Sequence, residues 1–470
     1  CGDALLGIVD PAILEKGIPD KAFNALSGDD KDVVRNIKKK NRDAMKSIAK
    51  AAKDAQFMLS LAIDDQSGLS EVDTLPDSTL EEIEAKRHAF EEAERASSHS
   101  KARLAADLFV AAFVMPKTKD LEEVIPTSAD LQLVLDGNPP RRGVIEAAEE
   151  AARNYQVFHW WYVFPQIKSK GGFDVLLGNP PWERIKLQEE EFFASRSPLV
   201  AEAQHKAERG RRIDLLREGM LLHTLYPEVE AAQGLFPPNQ AEQCLHNEFL
   251  QARRIAEASS LYAHDSGRYP LTGVGDVNTY ALFSETFSQL TSTSGRAGFI
   301  VPTGIATDDG TKAYFESISQ GGRLVSLFDF RTGPGLFPEI GHQRFKFSLI
   351  TLGRTSRTDF LFFALKVSHL SDERRHFELD PHEFQLINPN TRTCPVFRSK
   401  KDAELAKKIY RATPVLVEDG NPIGNPWKVR FMTMFHMSND SDLFLDAADG
   451  NVLPLYEAKN THHFDHRWAT

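Results

Sequence analysis

Phe173-Asp174-Val175-Leu176-Leu177-Gly178-Asn179-Pro180-Pro181-Trp182 is the stretch that decides the fold. The apolar run Val175 to Leu177 reads as a buried strand, and Gly178 lets the backbone turn sharply where the strand ends. Pro180 and Pro181 lack N–H groups and fix their own φ angles, so they stop hydrogen-bonded pairing and hold a rigid, extended loop. Open α/β sheets bind ligands at this carboxyl end of their strands. Asn and Pro are also ordinary turn residues. A ligand-binding loop is favoured because the tetrapeptide follows an apolar strand directly and ends in a large aromatic.

The downstream chain supplies more of such a sheet. Thr279-Tyr280-Ala281-Leu282-Phe283-Ser284-Glu285-Thr286-Phe287-Ser288-Gln289-Leu290 has apolar residues at helical spacing. Ala297-Gly298-Phe299-Ile300-Val301-Pro302 is a strand ended by proline, and a helix is expected over about 312–319. Strands follow at Leu324-Val325-Ser326-Leu327-Phe328-Asp329-Phe330, at Arg344-Phe345-Lys346-Phe347-Ser348-Leu349-Ile350-Thr351-Leu352, and at Phe360-Leu361-Phe362-Phe363-Ala364-Leu365. The strand-helix-strand alternation predicts an α/β fold with a parallel, doubly wound sheet.

Asn179-Pro180-Pro181-Trp182, with this order of elements over 172–354, resembles the second half of the core of adenine-specific (N6) DNA methyltransferases, which carry an Asn-Pro-Pro-aromatic motif. The resemblance implies a Rossmann-like sheet, S-adenosyl-L-methionine as cofactor and double-stranded DNA as substrate. It also implies a restriction-modification or phage-defence setting, with defence-system or restriction subunits as partners. An exocyclic amine conjugated to a purine is a poor nucleophile, so a site that methylates it needs acceptors aimed at its two protons. The resemblance gives that role to the Asn179 side-chain oxygen and the Pro180 carbonyl, makes Pro181 the stiffener, and stacks Trp182 on a flipped-out base. In this family a residue near the start of the last core strand also contacts the flipped adenine. Phe345 and Phe347 project to the same face there by strand alternation, and the sequence leaves open which one reaches the base.

A cofactor half is expected as well. A Gly-rich turn that lets the backbone approach the methionine end of the cofactor is not found before Asn179. The opening Cys1-Gly2-Asp3-Ala4-Leu5-Leu6-Gly7 resembles a later cofactor motif at the end of a strand. It implies that Asp3 accepts from the adenine amino group and that Leu5 packs on the ring. On this reading the chain is a fragment that lacks the amino-terminal part of the domain. A bifunctional restriction endonuclease-methyltransferase, with its nuclease outside this chain, is an alternative. A non-catalytic DNA-binding protein on the same fold is another, although it has no use for an amide beside an aromatic at a strand end.

The remaining segments are read as insertions and a tail. The expected order is 1–28, end of the cofactor-binding half; 29–150, helical insertion; 151–188, the strand and loop quoted above; 189–275, a second helical insertion; 276–365, the rest of the core; 366–470, a linker and the start of a target-recognition region. Pro76-Asp77-Ser78-Thr79-Leu80-Glu81-Glu82 is a capped helix start, and a helical hairpin is the simplest form for the first insertion. Phe158-His159-Trp160-Trp161-Tyr162-Val163-Phe164-Pro165 suits core packing, and His159 is given no catalytic role. The chain is 470 residues long with a net charge of -11, so a DNA surface requires local clusters of cations. Candidates are His205-Lys206-Ala207-Glu208-Arg209-Gly210-Arg211-Arg212 and Arg398-Ser399-Lys400-Lys401, with Lys38-Lys39-Lys40-Asn41-Arg42 a better fit to a plain exposed face. The three cysteines, Cys1, Cys244 and Cys394, form neither a disulfide framework nor a zinc pattern, which points to a reducing cytoplasm. No apolar run is long enough to span a membrane. The cluster His462, His463, Asp465 and His466 lacks a further ligand pair at metal-site spacing, so no metal is expected.

Overall fold

Among the described residues six strands build one sheet in the order β1-β2-β4-β3-β5-β6. They are β1 (Phe173–Gly178), β2 (Thr291–Pro302), β3 (Leu324–Arg331), β4 (Lys346–Leu352), β5 (Thr358–Ala364) and β6 (Phe377–Leu379). This computed structural model describes residues 2–54, 69–72, 74–98, 101–229, 238–339, 344–436, 439–445, 455, 460, 462 and 465. The chain divides into two units, Cys1–Pro414 and Val415–Thr470. Among the described residues no helix is long and apolar enough to cross a membrane.

The α/β, Rossmann-like class expected from the sequence is the one observed, but the sheet is mixed. β1 runs parallel to β2, and β3 parallel to β5. β4 inserts antiparallel between β2 and β3. Parallel neighbours require a long crossover connection, usually a helix. The described part of the link from β3 to β4 contains no helix, and the chain returns antiparallel. The carboxyl ends of β1, β2, β3 and β5 and the amino end of β4 therefore share one edge.

One face of this sheet is buried. Phe299 and Val301 of β2, Leu327 of β3, Ile350 of β4 and Phe360 and Phe362 of β5 form a core with Tyr280, Phe315, Phe384 and Ala403. Those last four lie on the helices Thr279–Leu290, Lys312–Gln320, Pro381–Ile387 and Lys400–Ala412. Residues 366–414, assigned above to a linker and recognition region, thus supply β6 and two helices that pack on the sheet.

β1 departs from expectation. Its apolar run was read as buried, yet Val175 is 64% and Leu177 82% exposed. The strand lies at the end of the sheet order, and of the run Val175 to Leu177 Leu176 is the residue that turns toward packed neighbours. Asp3 makes a single parallel bridge to Val157, and the backbone then turns.

Helices flank the sheet. Four are used below: α1 (Lys31–Asp54), α2 (Lys101–Val114), α3 (Gln240–Asp265) and α4 (Thr279–Leu290). The first insertion is more than a peripheral hairpin, because every residue of α2 from Ala105 to Val114 is buried. α2 is the centre of a core that takes in Phe23 and, through an edge-to-face contact with Phe113, Tyr262 of α3. The capped start is as expected: Glu82 Oε2 accepts from the Ser78 and Thr79 N–H groups, and Thr79 Oγ1 accepts from Glu82. The second insertion has its own core around Phe192, Phe193 and Phe249.

His159 joins the opening segment to α2. Its Nδ1 accepts from the Ile8 N–H at 3.1 Å, so Nε2 carries the proton and donates to Asp107 at 3.0 Å. Both side chains are buried, which agrees with a structural role. In the second unit, Asn425 closes a loop on Val429, and Trp427, Phe431 and Met434 are exposed. The calls on His463 and His466 lie outside the described residues.

Replacing His159 with Ala takes a buried partner from the Ile8 N–H and from Asp107, whose carboxylate keeps Arg103 Nε at 3.9 Å. The expected loss is about 2–4 kcal/mol of folding free energy in urea unfolding. A loss below about 0.5 kcal/mol, the range of ordinary surface substitutions, would show that the strut carries no weight.

Candidate active site

The site is built where β1 ends. Gly178 is in register with Phe299 of β2 and lies against the ring of Phe287 on α4. A Cβ at Gly178 would sit 2.8 Å from Phe287 Cζ, closer than real contacts allow, so any larger residue there obliges the ring on the helix beneath the strand to shift. Beyond it Pro180 is buried, while Asn179, Pro181 and Trp182 are exposed.

With two prolines in succession, the loop has few N–H groups with which to hold itself, and side chains from elsewhere fix it. Thr279 Oγ1 donates to the Pro181 carbonyl at 2.7 Å, and the Thr279 N–H donates to the Glu183 carbonyl at 2.9 Å. The Ile185 N–H reaches the Val277 carbonyl at 3.3 Å, and Arg184 pairs with Asp276 at 3.3 Å. These contacts clamp the loop to the amino end of α4, where the Asn278 side chain caps the Tyr280 N–H. The Trp182 indole N–H donates to the Ile300 carbonyl of β2 at 3.3 Å, and the side chain remains 43% exposed.

Two acceptors are left over. Among the described residues, neither the Asn179 side chain nor the Pro180 carbonyl receives a hydrogen bond from the protein. The neighbouring Pro181 carbonyl, by contrast, is occupied by Thr279. The arrangement thus presents two adjacent acceptors and a half-exposed indole at the carboxyl edge of the sheet, a combination suited to a planar ligand bearing an amino group.

Phe345 and Phe347 lie at the same edge, where Phe347 is in register with Pro302 and with Phe330. Phe347 stacks on Phe330 with ring centroids 5.4 Å apart and meets Phe337 edge-on. Phe345 is 62% exposed. Asp3 and Leu5 lie in the turn at the chain opening. Asp3 Oδ1 accepts from the Leu5 and Leu6 N–H groups at 2.9 and 3.3 Å, closing a turn. Leu5 packs against the α2 core, and its carbonyl accepts from the Tyr269 hydroxyl at 2.8 Å. No hydrogen bond among the described residues joins this turn to residues 179–182. Asp3 Oδ2 has no protein donor among the described residues, so one carboxylate oxygen can accept from an amino group of a ligand.

Several residues of this region escape sequence reasoning. Thr279 and Phe287 act through helix packing, and the only sequence signal is the Asn278-Thr279 pair at a helix start. Asp329 is 1% exposed at the end of β3; it accepts from Thr303 Oγ1 at 2.5 Å and from the Phe363 N–H at 3.0 Å, and Thr303 also contacts Ser348 Oγ at 3.0 Å. Burial pushes its carboxyl above the usual range, against these hydrogen bonds. A lone carboxylate inside Leu327-Phe328-Asp329-Phe330 was the available clue. Glu285 of α4 is likewise buried, and it holds residues 271 and 272 through bonds from two N–H groups and the Thr272 hydroxyl.

The basic clusters separate. Arg209 pairs with Glu190, and Arg212 with Glu208 and the Leu199 carbonyl, so these cations tie the second insertion together. Lys40 and Arg42 pair with Glu123 and Asp20 in the same way. A cavity of about 970 Å³ opens beside the loop, lined by Ile185, Lys186, Leu187, Lys206, Arg253 and Val277.

Residues 50–215, which include the 179–182 loop, match the family described as Eco57I restriction-modification methylase. No curated protein matches the chain. Among solved structures, "a modification subunit of a putative type I restriction enzyme" from Vibrio vulnificus YJ016 is similar at 14% identity over 63% of this chain and 48% of that one, with a TM-score of 0.23. The chain spans about half the length of that subunit.

The contact between Gly178 and Phe287 is open to a paired test. Gly178→Ala is expected to destabilise the protein by about 1–3 kcal/mol through overpacking. Adding Phe287→Leu, which withdraws the ring, should recover most of that loss in urea unfolding. An alanine variant as stable as wild type would show that the ring yields freely.

Proposed function

We propose that the chain carries the catalytic part of a DNA adenine-N6 methyltransferase of restriction-modification or phage-defence type. The observation that carries this reading is the pair of acceptors at Asn179 and Pro180, without a protein donor among the described residues and beside an exposed indole. The similarity of residues 50–215 to restriction-modification methylases supports it.

In this account a flipped-out adenine stacks on Trp182, whose indole N–H is tied to the Ile300 carbonyl and so keeps a fixed setting. One amino proton of the base is accepted by Asn179 Oδ1 and the other by the Pro180 carbonyl. These bonds draw the nitrogen away from conjugation and make its lone pair available to an electrophilic methyl group. When bound, S-adenosylmethionine would supply that methyl by breaking its S–CH3 bond and leaving as the neutral thioether; Asp3 Oδ2, without a protein donor among the described residues, would accept from its adenine amino group, and Leu5 would pack against the ring. After transfer, Asn179 Oδ1 holds the extra proton on the nitrogen until solvent removes it. Thr279 keeps the loop in place throughout, because the Pro181 carbonyl it binds is adjacent to both acceptors.

Asn179→Ala is expected to lower the rate of methyl transfer to adenine by about 100-fold or more, the usual effect of removing one polar group that acts on a transition state. Duplex binding should change little, since the lost bond strengthens only during reaction. Methylation within a few-fold of wild type would refute the assignment.

Trp182→Ala should weaken binding of a flipped base by about 1–3 kcal/mol. Trp182→Phe keeps a stacking face but loses the bond to Ile300, and is expected to fall between the two in 2-aminopurine fluorescence titrations. An Ala variant that binds as tightly as wild type would remove the stacking role.

A further inference from the structure

Three observations meet at the carboxyl edge of the sheet, on the β3–β5 side. Arg331, the last residue of β3, is the direct register partner of Lys346, the first residue of β4. Like charges placed opposite each other across an antiparallel pair are destabilising. Among the described residues neither side chain has an ion-pair partner. Both cations act on Asp329, but that carboxylate is buried and already bonded to Thr303 and to the Phe363 N–H.

The second observation is backbone strain. Phe363, near the end of β5, has φ of 62°, a left-handed conformation that is costly for a bulky residue. Its ring lies under two guanidinium groups, that of Arg331 at 4.6 Å and that of Arg398 at 5.2 Å. A guanidinium stacked on a ring keeps its N–H edges available for oxygen acceptors, which suits bidentate binding of phosphate. The third observation is that Arg331 Nε is buried with no hydrogen-bond partner among the described residues. Arg398 belongs to a basic cluster conspicuous in the sequence and, unlike Arg209 and Arg212, has no ion-pair partner among the described residues.

We propose that Arg331 and Arg398, stacked on the strained Phe363, and Lys346, set opposite Arg331, form a rim that binds backbone phosphates of the DNA whose base enters the 179–182 loop. β3 is three strand positions from β1 along the same edge, roughly 14 Å at the usual strand spacing. At about 3.4 Å per nucleotide along the duplex axis, the rim meets phosphates about four nucleotides from the target base. Unpaired cations set opposite each other are costly in the free protein, and bound phosphate removes that cost.

The inference rests on the reading of the protein as a DNA methyltransferase, and its test is kept separate from catalysis. Binding of a fluorescein-labelled duplex to the full chain is followed by anisotropy over a range of salt concentrations. Lys346→Gln and Arg398→Gln, both at exposed positions, should each make the slope of log K against log salt shallower by about 0.9, and the double variant by about twice that. Lys39→Gln, on an exposed part of α1, should leave the slope unchanged. Rim variants with the wild-type slope would overturn the proposal, as would an equal effect of Lys39→Gln or a wild-type chain that binds heparin and no duplex. If the slope depends on the rim but no methyl transfer is found, the rim stands and the catalytic reading falls. If methyl transfer occurs and the rim variants bind as wild type does, the reverse holds.

Discussion

The hydrogen bond from Thr279 Oγ1 to the Pro181 carbonyl is the contact on which the rest of the site depends. A loop with two prolines in succession cannot hold itself by its own N–H groups, so its shape must come from outside. α4 supplies the fixing groups at its amino end, and Gly178 lets the same helix pack directly under β1 through Phe287. The clamp works because α4 is itself well anchored. Glu285 binds the 271–272 turn, and Arg268 reaches Gln289 and Thr286. With the Pro181 carbonyl engaged, the Asn179 side-chain oxygen and the Pro180 carbonyl before it are left without a protein donor among the described residues.

The sheet order adds to this edge. β4, inserted antiparallel between β2 and β3, brings its amino end beside the carboxyl ends of its neighbours. Phe345, Lys346 and Phe347 therefore lie at the edge where the loop leaves β1, although more than 160 residues separate them from it in sequence. A fully parallel arrangement would have put the start of that strand at the opposite edge. The same insertion sets Arg331 against Lys346. A chain of net charge -11 can still present positive charge to a polyanion in this way, because Lys40, Arg209 and Arg212 of its helical insertions are held in ion pairs, whereas among the described residues Arg331, Lys346 and Arg398 are not.

Much of this was legible in the sequence. Periodicity placed α4 and β3 to within a residue of their observed bounds, because both have strong apolar patterns ended by clear breaks. The loop at the end of β1 was legible because glycine and two prolines have narrow physical uses. Three things were not. The apolar run of β1 was read as buried, since hydrophobicity cannot reveal that a strand stands at the end of the sheet. The direction of β4 was missed, since strand patterns look alike in either orientation. The roles of Thr279, Asp329 and Phe287 arise from contacts between distant segments, and no local spacing encodes them.

The most direct measurement of the central claim is the identity of the product base. Duplex DNA incubated with the full-length protein and isotopically labelled S-adenosylmethionine can be digested to nucleosides and resolved by mass spectrometry. The account predicts label on the exocyclic nitrogen of adenine. Label on a ring carbon of cytosine, or on no base at all while the DNA is bound, would contradict it.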